Sequence, residues 1–275
     1  MRTEPDATGA AVPVERLVPG TADLGCLLVH GLTGTPAEMA PVAAALAGSY
    51  PCWVTRVAGH DTSVSDLAAT SWHQWYASAA AGADALLRVT PQIVAIGLSM
   101  GALLAMRLAV ERCTAVAGLV LLSPAAALRG GPQRWLRGLL RLLGAADARS
   151  ARLRSALASV HFPKRASDIA DPDVRSRHPG YRQIPLRALL NLLALQRVAL
   201  RDAPAIMQPT LVIHALQDHT CPVAATESLY SSLGATEKRL VLLAKSFHVV
   251  TVDRERGRVV REICDFVKAL VNQRA

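Results

Sequence analysis

Aromatic side chains are scarce in this 275-residue chain, at 4%, and no apolar stretch is long enough to cross a bilayer as a helix. The stretches near 24–30, 92–104 and 116–122 are short, or are interrupted by Gly, Ser and Pro. The first ten residues, MRTEPDATGA, are charged and have no apolar centre, so an export signal is not indicated and a cytoplasmic location is expected. Cysteine is also sparse. The five thiols (26, 52, 113, 221 and 264) are odd in number and include no C-x-x-C pair, which argues against a disulfide frame. Zinc-spaced His/Cys clusters, a G-x-G-x-x-G run and a Walker A loop are all missing. No zinc site or nucleotide-binding loop is therefore indicated, and no metal ligands or nucleic-acid partner are expected.

Apolar residues make up 51% of the chain, enough for one large α/β domain or one domain carrying an insertion. Charge is uneven. Residues 124–205 hold 15 Lys and Arg against 5 Asp and Glu, whereas the rest of the chain is close to neutral. Of the 30 bases 26 are Arg, which fits either a high-GC genome, whose chains are rich in Arg and Ala, or attraction to anions or a membrane surface.

Short β-branched or apolar runs at 26–30, 52–57, 92–96, 117–122, 210–215 and 239–244 alternate with helical patterns at 36–47, 71–88, 100–112, 223–233 and 254–272. This alternation predicts a mostly parallel sheet with helices on both faces. Residues 12–24 suggest an antiparallel edge hairpin. The alternation fails between 124 and 205. There, 133–144 places Trp135, Leu136, Leu139, Leu140 and Leu143 on one face and Arg134, Arg137 and Arg141 on the other, and a second leucine-rich helix is expected at 185–200. The organisation expected is a core of residues 1–123 and 206–275 with a helical cap, 124–205, inserted over the edge where α/β sheets bind ligands.

One motif carries chemistry. GLSMG (97–101) fits G-x-S-x-G, follows an expected strand and opens an expected helix. A sharp strand-to-helix turn would display the Ser99 hydroxyl and demand minimal neighbours at Gly97 and Gly101. A glycine-lined junction with a capping serine would look the same, so Ser99 needs partners. His248 lies after the last expected strand, where a base serving such a serine belongs; His161 and His178 fall in the insertion, His73 on a helix and His214 inside a strand. Asp218, just beyond the 210–215 strand, suits the orienting acid better than Asp202, before that strand, or Asp253, which reads as a helix N-terminal residue. The loop VHGLTGTP (29–36) offers the Leu32 N–H beside that of Met100 as oxyanion donors, with His30 bracing the loop.

These elements occur in one order along the chain, and together LLVHGLTGTPAEM, VAGHDTS, SWHQWYASA, IVAIGLSMGALLAM, PTLVIHALQDHTCP and SFHVVTVDRERGRV resemble bacterial carboxylesterases and monoacylglycerol lipases of the α/β-hydrolase superfamily. The resemblance implies an α/β-hydrolase fold with a small helical cap and no cofactor. It also implies hydrolysis of short- to medium-chain acyl esters or monoacylglycerols. Carried onto this chain, it makes Ser99 the nucleophile, His248 the base, Asp218 the orienting acid, and Leu32 and Met100 the oxyanion donors. Two departures stand out. Phe247 precedes the histidine where the family often has glycine, which makes it a candidate pocket residue, and Asp61 follows Gly59–His60 where the family often reads G-H-G. The basic insertion keeps two other readings open: a thioesterase or lysophospholipase acting on an anionic acyl donor, and a non-enzymatic module that lies on membrane surfaces through the 133–144 helix.

Overall fold

A computed structural model describes residues 3–5, 11–129, 159–164 and 166–273. In chain order its elements begin with an antiparallel pair, β1 (Thr3–Pro5) and β2 (Ala11–Pro13), followed by β3 (Leu17–Val18) and β4 (Leu24–Val29). Next come α1 (Ala40–Leu46), β5 (Cys52–Thr55), α2 (Val64–Ala69), α3 (Trp72–Leu87), β6 (Gln92–Leu98), α4 (Met100–Glu111) and β7 (Val116–Leu122). The insertion holds β8 (His161–Pro163), α5 (Pro172–Arg177), β9 (Gln183–Pro185) and α6 (Leu186–Asp202). The chain closes with β10 (Thr210–Ala215), α7 (Val223–Ser232), β11 (Lys238–Leu243) and α8 (Arg256–Asn272).

Seven strands form one sheet in the order β11-β10-β7-β6-β4-β5-β3, parallel throughout except for β3, which runs antiparallel to β5. Strands β4 and β7 are buried along their whole length, because helices cover both faces and polar alternation has no solvent side to serve. The pleat divides β4 between two cores. Leu27 and Val29 join the core that includes α3, α4 and α6, while Cys26 and Leu28 join the one that includes α1 and α8.

The expected helix at 36–47 divides, since Pro36–Met39 is a 3-10 turn and α1 follows it. The antiparallel edge is made by β3 alone, and β1–β2 is a separate sheet. The segment 124–205 is expected from sequence to be all helical, but β8 and β9 pair antiparallel within it. Strands of three residues are too short for a period-2 pattern to register. The helix expected at 133–144, with Arg134, Arg137 and Arg141, lies outside the described residues.

The last element of the insertion is packed as core. Helix α6 lies against α4, α2 and α3, and its Ala188, Leu195 and Ala199 are fully buried beside Leu103, Leu104 and Leu108 of α4. Arg107 of α4 adds an ion pair to Asp202 at 2.7 Å. Leu195→Ala should therefore destabilise the protein by about 2–5 kcal/mol in urea denaturation, the range for a buried core leucine. A helix resting loosely on the surface would lose well under that.

Candidate active site

The turn between β6 and α4 is tight. Ser99 sits there with φ 56° and ψ −110°, a conformation that costs a non-glycine residue energy. A Cβ on Gly97 would lie 2.2 Å from the Gly101 carbonyl oxygen, and a Cβ on Gly101 would lie 2.2 Å from that of Val29. No side chain fits at either position, so both glycines are required by close backbone approach. The Ser99 N–H donates to the Leu122 carbonyl at 2.8 Å, which ties the turn to the next strand.

The structure brings Ser99, His248 and Asp218 into one chain of hydrogen bonds. Ser99 Oγ lies 2.9 Å from His248 Nε2, and His248 Nδ1 lies 2.7 Å from Asp218 Oδ2. With Nδ1–H donating to the carboxylate, Nε2 is left to accept the serine proton. Asp218 is itself saturated. Its Oδ1 accepts the N–H groups of Thr220 (2.8 Å) and Cys221 (2.6 Å), and Nε2 of His214 stands 3.3 Å from Oδ2. Burial alone would push the Asp218 carboxyl up, but the charge and hydrogen bond of His248 and the Cys221 N–H hold it below its ordinary value. For His248 burial acts downward, yet the Asp218 carboxylate outweighs it, by charge and by hydrogen bond, and raises the imidazole above 6.5.

The loop after β4 faces this triad. His30 is fully buried, with Nδ1 2.9 Å from the Gly31 carbonyl and Nε2 accepting the Val57 N–H at 3.2 Å. Burial, with the neighbouring His60, pushes its pKa down to about 3, so it is a neutral brace, as its place in the loop suggested. Thr33 turns the chain at φ 63°. The Leu32 N–H pairs with no acceptor among the described residues, and the Met100 N–H is an orphan donor of the first turn of α4. A cavity of about 200 Å³ opens onto Ser99 and His248, with Leu32, Leu98, Leu128, Ile184 and Leu192 on its apolar side.

Phe247 does not line this cavity. Its ring stands edge-on to His219 at 4.4 Å, and its N–H donates to Asp253 at 2.7 Å. Asp253 is not a helix N-terminal residue, because α8 begins only at Arg256. Its buried carboxylate also accepts the N–H groups of Ala170 (2.8 Å), Asp171 (3.0 Å) and Arg254 (2.7 Å), binding the histidine loop to the returning insertion. Asp168 does similar work at the cavity wall, where its carboxylate takes the His219 N–H at 2.8 Å and the Thr220 hydroxyl at 3.1 Å. At Asp61, where the resembled family often carries glycine, φ is 54°, a left-handed value that Asp tolerates better than most residues.

Sequence reasoning missed His214, Asp168 and Glu38. His214 lies four residues before Asp218 and Glu38 lies within LLVHGLTGTPAEM, and both places were usable signals; Asp168 comes from a segment with no motif of its own.

A sheet wound in this order, with a strand–serine–helix elbow at its centre, makes the chain an α/β-hydrolase. Residues 21–255 match the family described as serine aminopeptidase, S33, and the chain belongs to that family of hydrolases. It is 30% identical over 244 residues to a thermostable monoacylglycerol lipase of Bacillus sp. (strain H-257), covering 88% of this chain and 90% of that one. It is 21% identical to a carboxylesterase of Bacillus subtilis (strain 168), across 90% and 94% of the two chains. Among solved structures, one of the metagenome-derived lipolytic enzymes LipS and LipT superposes with a TM-score of 0.77 at 26% identity, covering 94% of this chain and 99% of that one.

The raised pKa of His248 can be read directly. In an NMR titration its ring nitrogens should show a midpoint above 6.5, and Asp218→Asn, which removes the carboxylate charge, should move that midpoint down.

Proposed function

We propose that this chain hydrolyses carboxylic esters of short- to medium-chain acyl groups, monoacylglycerols among them, through an acyl-enzyme on Ser99. The observation that carries this reading is the 2.9 Å approach of Ser99 Oγ to a histidine whose other nitrogen is 2.7 Å from a buried carboxylate. Ser99 Oγ attacks the ester carbonyl carbon while His248 Nε2 takes the hydroxyl proton. Asp218 orients the ring and stabilises the imidazolium. Negative charge on the carbonyl oxygen is received by the N–H groups of Leu32 and Met100, at the positive end of α4. His248 then returns the proton to the departing alcohol. In the second half, His248 deprotonates a water molecule, which attacks the acyl-enzyme and releases the carboxylic acid with Ser99 restored.

The small cavity supports short chains, and its apolar side supports an acyl group rather than a polar one. The names of the two Bacillus relatives point the same way, to esters rather than to the peptides of the family description. An anionic thioester or phospholipid is less well served. Lys164 is the cation on the described cavity wall, and Glu38 and Asp168 share that wall with it. Residues 124–205 are proposed as the unit that closes over the site, with α6 as its anchor to the core. No helix among the described residues is long and apolar enough to cross a membrane.

Kinetics on p-nitrophenyl esters of increasing chain length test the reading. Ser99→Ala should lower kcat by about 10⁴- to 10⁶-fold with the fold intact. A fluorophosphonate should label wild type at Ser99. Wild-type rates in Ser99→Ala would sink the assignment, and faster turnover of acyl-CoA than of neutral esters would move it to the thioester class.

A further inference from the structure

The loop that carries the Leu32 N–H is wrapped around a buried carboxylate. Glu38, in the 3-10 turn after the loop, is 4% exposed, and its Oε2 accepts the Gly31 N–H at 3.0 Å. The carboxylate occupies the space that a Cβ on Gly34 would need, 2.3 Å from it, so glycine at 34 is what lets the loop close on Glu38. The Gly34 N–H returns to the Gly31 carbonyl at 3.2 Å and completes the turn. Glu38 thus fixes the peptide unit next to the one that Leu32 would present to substrate.

This brace raises an electrostatic difficulty. Glu38 lines the same cavity as Ser99, and a fixed negative charge there opposes the negative charge that ester cleavage develops. The chain supplies one answer from the insertion. Lys164, directly after β8, lines the cavity and donates from Nζ to Thr33 Oγ1 at 2.7 Å, on the other side of the same loop. Its main chain is held by an N–H bond to the Arg182 carbonyl at 2.8 Å. Burial pushes the Lys164 ammonium down and the charge of Glu38 pushes it up. His178 also approaches, with Nε2 3.6 Å from Glu38 Oε1, but burial pushes its pKa down against the charge of Glu38, which pushes it up. Its Nδ1 is taken up by Ser167 Oγ at 2.8 Å.

The insertion is docked at this point by more than Lys164. The Tyr181 N–H donates to the Thr33 carbonyl at 3.0 Å, and the Tyr181 hydroxyl donates to the Gly59 carbonyl at 2.9 Å while accepting the Thr62 N–H at 2.9 Å. Lys164 after β8 and Tyr181 before β9, at one end of this small sheet, therefore both close on the loop after β4.

We propose that Glu38 and Lys164 act as a matched pair of positioning residues for oxyanion stabilisation: Glu38 sets the loop through the Gly31 N–H, and Lys164, delivered by the insertion, cancels the carboxylate's field where the oxyanion forms. This rests on the reading of Ser99 as nucleophile and Leu32 as donor. The pairing also gives the insertion a part in the chemical step, beyond shaping the pocket.

Steady-state kinetics on a neutral p-nitrophenyl ester test it, with thermal unfolding to verify each fold. Lys164→Met should lower kcat about 10- to 100-fold with KM changed less than about threefold, because the lost interaction acts on the transition state. Lys164→Arg should retain most of kcat. Glu38→Gln, which keeps an acceptor for Gly31 but drops the charge, should lower kcat less than Lys164→Met does. The double variant Glu38→Gln/Lys164→Met should regain at least about tenfold over Lys164→Met alone. A double variant no faster than Lys164→Met, or a Lys164→Met enzyme with wild-type kcat, overturns the proposal. If Lys164→Met does not fold, the double variant decides: kcat within about threefold of Glu38→Gln supports the pair, and a larger loss overturns it. Ser99→Ala run alongside separates the outcomes, since its retained activity would refute the nucleophile itself rather than the pair.

Discussion

Everything at the site depends on how closely two backbones approach at the centre of the sheet. Helix α4 starts against the end of β4 with only hydrogen atoms between Gly101 and the Val29 and His30 carbonyls. That approach forces Ser99 into its left-handed conformation and holds its hydroxyl out of the core. It also sets the first N–H groups of α4 beside the loop after β4, so Ser99 and the Leu32 and Met100 amides are held by one construction. A methyl group at either glycine would separate them.

Around this point the loops are secured by buried carboxylates rather than by apolar packing. Asp218 collects two N–H groups within its own loop, Asp253 collects four from two segments, and Glu38 collects that of Gly31. A loop cannot bury its amides without acceptors, and an ionised carboxylate is the strongest one available. The same arrangement makes each of these groups costly to lose, because the stranded N–H groups could not reach water. His214 extends this logic behind the triad: Thr226 Oγ1 lies 2.9 Å from its Nδ1, and its Nε2 faces both Asp218 and the Cys221 carbonyl.

The basic composition of 124–205 does not translate into a basic cavity among the described residues. Arg201 pairs with Asp202 at 2.7 Å, Arg175 reaches the Ile169 carbonyl, and Lys164 donates to Thr33 Oγ1. The same segment brings Asp168 and the Ala170–Asp171 amides to the loops that carry Asp218 and His248, and Thr33 receives Tyr181 and Lys164. Composition counts charges, but the fold decides which of them meet an opposite charge.

The sequence by itself determined the sheet, its helices and the order Gly31, Ser99, Asp218, His248, because these are local patterns: apolar runs of strand length, glycines two residues either side of a serine, and a polar residue just past a strand. It also pointed to Asp61 as a departure, and the structure puts a left-handed turn there. The tertiary structure alone decided what lies between elements distant in the chain. That Asp253 serves the histidine loop, that Phe247 packs on His219 outside the cavity, that α6 is core, and that Glu38 and Lys164, 126 residues apart, line one cavity all depend on which segments the folded sheet brings to one edge. Such contacts leave no periodicity, since each is a single side chain meeting a backbone or a charge from elsewhere. Short strands such as β8 and β9 belong with them, because three residues pair only once the insertion has been folded back onto the core.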